Sequence, residues 1–183
     1  ALIFFSNTAS SESRFGELTE MRDDKMRGKD GQWVRPHPGP FIWNHIERDK
    51  GNFTWDDVDQ YVVYAQEHNQ TILATIWPHA DWEQKSCNRK KARSAFGKRF
   101  TKYLSKPCSM DDYRNFLTKL VDRYDGDGSN DMPGLTKPIK YWDIMNEPEF
   151  DMFFKGSKED FIEIFNFSSK VIKEKQPDAV IVM

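Results

Sequence analysis

The chain has 183 residues, 38% of them hydrophobic and 14% aromatic, enough to bury one sizeable core, so a single domain over residues 1–183 is expected. Its 27 Lys and Arg against 29 Asp and Glu leave a formal net charge of -2, which argues against nucleic acid or an anionic membrane as a bulk electrostatic partner. No apolar run approaches the roughly 20 residues that span a bilayer, and two cysteines exclude both a disulfide-dense scaffold and a C-x-x-C redox or zinc site.

In chain order, Leu2 to Phe5 is an apolar run suited to a first strand, and a weaker helical pattern covers about Ser11 to Met26. Gln32 to Arg35 reads as the next strand. Thr54 with Asp57 has the spacing of a capping box, and Trp55, Val58, Tyr61, Val62 and Ala65 then recur at helical intervals. Asn69 stops that helix ahead of the apolar run Thr71 to Ile76. After a long loop, Ser109 with Asp112 opens a second helix, whose stripe is Tyr113, Phe116, Leu117, Leu120, Val121 and Tyr124. Gly126 and Pro138 punctuate the way to Ile139 to Met145. Ser157 with Asp160 opens a third helix with Phe161, Ile162, Ile164, Phe165, Val171 and Ile172 apolar, and Pro177 precedes the final run, Ala179 to Met183.

The strand candidates are continuously apolar, which suits burial on both faces, and their alternation with helices predicts an α/β parallel sheet with right-handed crossovers, either a barrel or an open doubly wound sheet. Starts near Trp33, Ile72, Ile139 and Ala179 lie 39, 67 and 40 residues apart, so a unit of about 40 residues repeats, with one long insertion after Ile76. A closed (β/α)8 TIM barrel takes eight such units and about 250 residues, so the chain is expected to cover strands one to five of an incomplete barrel belonging to a longer protein.

Chemistry concentrates at the end of the fourth strand, Tyr141-Trp-Asp-Ile-Met-Asn-Glu-Pro-Glu149, where Asn146 and Glu147 fall at the carboxyl end of a buried strand. A carboxylic acid walled by apolar groups can hold a proton near neutral pH and deliver it to a leaving oxygen, while a neighbouring amide holds a hydroxyl. This stretch resembles the fourth-strand signature of clan A glycoside hydrolases, in which Trp, three residues and Asn-Glu-Pro mark the acid/base carboxylate. Trp33-Val-Arg-Pro-His-Pro-Gly39 followed by Trp43, Ile46, Glu47, Gly51, Phe53, Trp55 and Asp59 resembles the second unit of the same clan, as in families 5, 39 and 42.

The resemblance covers about Gln32 to Met183 and implies a retaining hydrolase of β-linked glucan, mannan or a related oligosaccharide, needing no cofactor or metal. It makes Glu147 the acid/base, Asn146 the partner of the 2-hydroxyl of the reacting sugar, and Arg35 a residue that positions the nucleophile. That nucleophile is expected on a seventh strand outside this sequence; Glu149 lies beyond the strand end, and Glu47 has a structural place. Two rival readings stay open: a carbohydrate-binding barrel without catalysis, and a nucleic-acid-binding protein.

His37 and Trp43 follow the second strand and Trp77, His79 and Trp82 the third, so all are candidates for lining a sugar cleft, with His79 and Trp77 ahead. The loop after the third strand carries Arg89, Lys90, Lys91, Arg93, Lys98, Arg99, Lys102 and Lys106 with no acid between Asn88 and Lys106, and reads best as a solvated face. Asp125-Gly-Asp-Gly-Ser-Asn-Asp131 lacks the bidentate Glu of an EF-hand loop and reads as a turn. Cys87 and Cys108 are expected to form a disulfide at the base of the long loop, a bond that fits an extracellular location, with a cytoplasmic one left open.

Overall fold

The computed structural model describes residues 16–19, 32–94, 96–97 and 100–183. Its main sheet has five parallel strands, β1 (Gly16–Thr19), β2 (Trp33–Pro36), β5 (Thr71–Ile76), β6 (Tyr141–Ile144) and β7 (Val180–Val182), in the order β1-β2-β5-β6-β7. Adjacent strands are thus successive in chain order, as a barrel requires and an open doubly wound sheet does not. Between β2 and β5 lie a single helical turn, α1 (Trp43–Ile46), a hairpin of β3 (Glu47–Asp49) and β4 (Asn52–Phe53), and helix α2 (Asp56–Glu67). A short helix, α3 (Asp81–Ser86), and the long α4 (Met110–Tyr124) follow β5, and α5 (Lys158–Lys175) connects β6 to β7.

One expectation near the amino end changes and one is untested. Leu2 to Phe5 lies outside the described residues. Of the stretch expected to be helical from about Ser11 to Met26, residues 16–19 are a strand, paired in parallel with β2 from Gly16 opposite Trp33 to Thr19 opposite Pro36. Pairing to an existing strand outweighs the weak helical pattern of so short a segment, and the Thr19 hydroxyl meets the Tyr61 hydroxyl of α2 at 2.8 Å.

The period-two alternation of each strand divides the sheet into two environments. Val34, Ile72, Ala74, Ile76, Trp142 and Ile144 point to the face covered by helices and share one cluster with Val58, Tyr61 and Val62 of α2, Phe116, Leu117 and Leu120 of α4, and Ile164 and Ile172 of α5. The other face carries Trp33, Arg35, Leu73, Thr75, Tyr141 and Asp143. Thr75 and Asp143 are buried there, and the others are partly buried. Trp33 and Tyr141 meet edge to face at 4.3 Å and floor this inner face.

The helix starts differ in their chemistry. Ser157 and Asp160 form the full capping box, each side chain accepting from the other's backbone N–H. Ser109 accepts from the Asp112 N–H, but the Asp112 carboxylate turns to Lys50 on the hairpin instead. Thr54 caps nothing: α2 starts at Asp56 with Trp55 in the capping position, and the Thr54 hydroxyl points back to carbonyls of α1. The Trp55 indole has no acceptor to offer as a cap, and it packs instead on Phe53, stacked at 5.8 Å, with the Arg123 guanidinium over its ring at 5.3 Å. Arg123 also forms a two-pronged ion pair with Asp59, which ties α4 to α2.

Candidate active site

Strand β6 ends in two residues of left-handed backbone, Met145 at φ +68° and Glu147 at φ +43°, flanking Asn146. Each costs on the order of 1–2 kcal/mol for a residue with a Cβ. The Met145 N–H still reaches Ile76 O at 3.0 Å, which continues the ladder one residue past the strand, and the Phe150 N–H closes a turn onto Glu147 O at 3.0 Å. The chain therefore leaves the sheet abruptly, with Met145 buried, Asn146 half-buried and the Glu147 side chain in solvent.

Below them the inner face carries one polar layer. The Arg35 guanidinium donates from Nε to Thr75 Oγ1 at 3.1 Å, and from one terminal nitrogen to Asp143 Oδ2 at 2.6 Å and Asn146 Oδ1 at 3.0 Å. Thr75 donates to the same Asp143 oxygen at 2.8 Å, and Asn146 Nδ2 donates to Glu147 Oε2 at 3.1 Å. Arg35 and Asp143 form an ion pair whose acid is 5% exposed and whose base is 28% exposed, so the charge that burial would penalise is matched. Arg35, Asp143, Asn146 and Glu147 line one open cleft together with Leu73 and Phe161.

His37 stands at the exit of β2, at the edge of this group. Burial and the Arg35 guanidinium lower its pKa, while the carboxylates of Glu147 and Asp143 act in the opposite direction, so its imidazole shares the electrostatics of the site. Its buried Nδ1 has no hydrogen-bond partner among the described residues. The ring packs on Trp77, Phe96 and Phe153, at 6.0, 5.0 and 6.4 Å between centroids.

The two aromatic candidates placed foremost by sequence take other positions. Trp77 and His79 are both fully buried, so neither opens onto the cleft that holds Arg35, Asn146 and Glu147. Trp77 extends the sheet by a bridge to Ile42 and donates its indole N–H to Pro38 O at 2.7 Å. His79 faces Ser105 O at 3.3 Å, and burial pushes its pKa down to about 4 although the Ser105 and Phe153 backbones counteract it. Trp43 is equally buried, donating to Glu47 Oε2 at 2.6 Å, and Glu47 also accepts from the Gly51 N–H, so this carboxylate ties the β3–β4 hairpin together. Trp82 donates to Glu47 O.

Cys87 and Cys108 are disulfide-bonded, with Cα atoms 6.1 Å apart and a separation of 21 positions in sequence. Beside the bond, Glu83 accepts from the backbone N–H groups of Cys108 and Ser109, and Gln84 binds both the N–H and the carbonyl of Ser105. The Asp125, Asp127 and Asp131 carboxylates lie within 4.8 Å of one another, and they accept from the backbone N–H groups of Gly126, Asp127, Gly128 and Ser129, as acids in a turn do.

Asp143 and Thr75 are the members of the polar layer that sequence reading passed over. A signal existed: an acid in the middle of an otherwise apolar strand must find a cation when it is buried, and Arg35 is a base on the same face, two strands away across β5.

No family model and no curated protein sequence matches the chain. Solved structures do. A GH39 enzyme from Xanthomonas axonopodis pv. citri superposes with a TM-score of 0.67 at 11% identity, over 94% of this chain and 35% of its own. A glucosidase from Croceicoccus marinus follows with 0.57 at 16% identity, over 82% and 29%. The intracellular xylanase TsXylA from Thermoanaerobacterium saccharolyticum gives 0.51 at 16% identity, over 81% and 44%. These likenesses establish the fold, that of strands one to five and the outer helices of the (β/α)8 barrel used by clan A glycoside hydrolases, and the chain spans 29 to 44% of the length of these three proteins.

Proposed function

We propose that the protein of which this chain forms part is a retaining O-glycoside hydrolase that cleaves β-linked glucan, mannan or a related oligosaccharide, with Glu147 as its acid/base. The observation that carries the reading is the pairing of a solvent-facing Glu147 carboxylate with an Asn146 amide whose other end is fixed by Arg35, at the carboxyl end of a barrel strand. In this fold, that end is where catalytic groups gather.

Glu147 protonates the departing glycosidic oxygen in the first step and deprotonates water in the second. Asn146 holds the 2-hydroxyl of the reacting sugar, whose hydrogen bonds strengthen as the ring flattens toward the oxocarbenium ion. Arg35 carries the positive charge of the site, and His37 edges the sugar cleft. Retention needs a second carboxylate about 5 to 5.5 Å from the first. That nucleophile is assigned to a strand outside these 183 residues, so the residues 1–183 are expected to show no turnover alone. No metal or cofactor takes part. The Cys87–Cys108 bond favours an extracellular setting, where disulfides persist.

The test is Glu147→Gln in the full-length protein. It keeps the side-chain shape and removes the transferable proton, so hydrolysis of an alkyl glycoside is expected to slow by about 10²- to 10⁴-fold. An activated aryl glycoside loses far less in the first step, and azide, which needs no general base, restores turnover and yields a glycosyl azide of retained configuration. Unchanged hydrolysis of the alkyl glycoside removes Glu147 from the mechanism.

A further inference from the structure

The hydrogen bonds beneath the site have only one consistent direction, and from it we infer that Asp143 is a positioning residue: by clamping Arg35 it fixes which end of the Asn146 amide faces Glu147. The inference rests on the reading of Asn146 and Glu147 proposed above.

A guanidinium has donors and no acceptor, so the amide atom that meets Arg35 at 3.0 Å must be the Asn146 oxygen. The only group left on the other side of the amide is its NH2, which meets the Glu147 carboxylate at 3.1 Å. Asn146 therefore reads the position of Arg35 and passes it to Glu147. Arg35 itself sits on a long flexible side chain, and two contacts hold it: Nε on Thr75 at 3.1 Å and a terminal nitrogen on Asp143 at 2.6 Å. Thr75 accepts from Arg35 and donates to Asp143 at 2.8 Å, which closes a ring in which no hydroxyl or amide can be reversed without setting donor against donor.

The charge balance points the same way. Asp143 is 5% exposed, and Arg35 is the cation paired with it. A neutral residue at position 143 releases the guanidinium, and the carboxylate that lines the same cleft is Glu147. An Arg35–Glu147 pair would hold the acid/base in its ionised form and displace the Asn146 amide. Asp143 thus keeps the positive charge of Arg35 near the catalytic carboxylate yet engaged elsewhere. Neither carboxylate oxygen of Asp143 touches the substrate in this scheme; it acts through its neighbours.

The experiment uses Asp143→Asn in the full-length protein, with two readouts. The first compares a 4-nitrophenyl β-glycoside, chosen from a panel of glucosides, mannosides and xylosides, with its 2-deoxy counterpart. On the parent glycoside kcat is expected to fall about 10- to 100-fold, the worth of a charge-assisted hydrogen bond, with KM changed less than about threefold. On the 2-deoxy glycoside, which gives Asn146 nothing to hold, the loss should shrink to less than about threefold. An equal loss on both substrates means a merely structural role and overturns the inference.

The second readout needs no turnover: the side-chain amide signals of Asn146 in a ¹⁵N-correlated NMR spectrum, identified by their loss in Asn146→Asp. They should move in Asp143→Asn, and signals that stay in place overturn the inference whatever the kinetics show. A wild-type protein that hydrolyses no glycoside refutes the proposed function instead, and the amide signals then decide the positioning role by themselves. If Asp143→Asn does not fold, Thr75→Val, which removes one hydroxyl from the ring, should show the same pattern in both readouts at smaller amplitude, and its absence overturns the inference equally.

Discussion

Replacing both Cys87 and Cys108 by Ser opens a loop closed across 21 positions. In the chain-entropy model, a loop of that length removes about 11 cal/mol/K from the unfolded ensemble, or about 3 kcal/mol of stability at room temperature. The folded side of the balance should barely change, because the ends of the loop are held together independently. Glu83 grips the backbone of Cys108 and Ser109, and Gln84 grips Ser105 from both sides. The double variant is therefore expected to keep the native structure but to melt about 6 to 12 °C lower in a domain of this size. Calorimetry of the variant and of oxidised and reduced wild type checks this, since reduction should reproduce the variant. A shift under about 2 °C would refute the argument, showing that the unfolded chain gains little freedom when the bond is cut. A large shift with an altered near-ultraviolet circular dichroism spectrum would equally refute it, because the hydrogen bonds at the loop base would then be insufficient to hold the loop.

Two further perturbations follow from named groups. His79, held neutral by burial with its pKa pushed down to about 4, contributes stability that is present above its unfolded pKa of about 6.5 and is lost as pH falls toward 4. In His79→Gln the wild-type decline in melting temperature between about pH 7 and about pH 5 should flatten, and an unchanged slope contradicts a buried neutral imidazole. Ser157→Ala removes a full capping box and should cost about 1 kcal/mol in denaturant unfolding. Thr54→Ala, which has the same spacing but no cap, should stay within about 0.5 kcal/mol, and equal losses would mean that spacing alone decides.

The elements most legible in the sequence are those in which one local period agrees with the packing. The stripe of α4 was readable residue for residue, because the helix has a single buried side and its six buried residues are the six of the stripe. The α5 stripe blurs: Ile162 is 44% exposed, while Ser168 is fully buried, its hydroxyl spent on Tyr113 and on Ile164 O. A polar residue with both partners supplied behaves as a core residue, and no hydrophobic pattern reveals it. The β3–β4 hairpin left a trace in its two-residue loop, Lys50-Gly51, with Gly51 at φ +81°, but its strands are too short to alternate.

At the site, the strand end was legible because Asn146 and Glu147 interrupt an apolar run. Trp77 and His79 were misplaced for the same positional reason. Following a strand end suggests the rim, yet Trp77 extends the sheet through Ile42 and carries the next residues inward with it. The Arg35–Asp143 pair depends on strands 108 positions apart coming into register, a relation that no local pattern contains.

The aromatic packing around His37 bears on how such a protein can change. Phe96 and Phe100 from the loop after β5, His37 from the loop after β2, and Phe153 from the loop after β6 all meet on Trp77. Lys155 of the third loop also donates to Leu104 O of the first. Three segments that would otherwise be free to diverge are joined through one indole. A graft that replaces one of them has to match ring positions supplied by the other two, so change here is reached more readily by coordinated substitution across the three loops than by exchange of any single one.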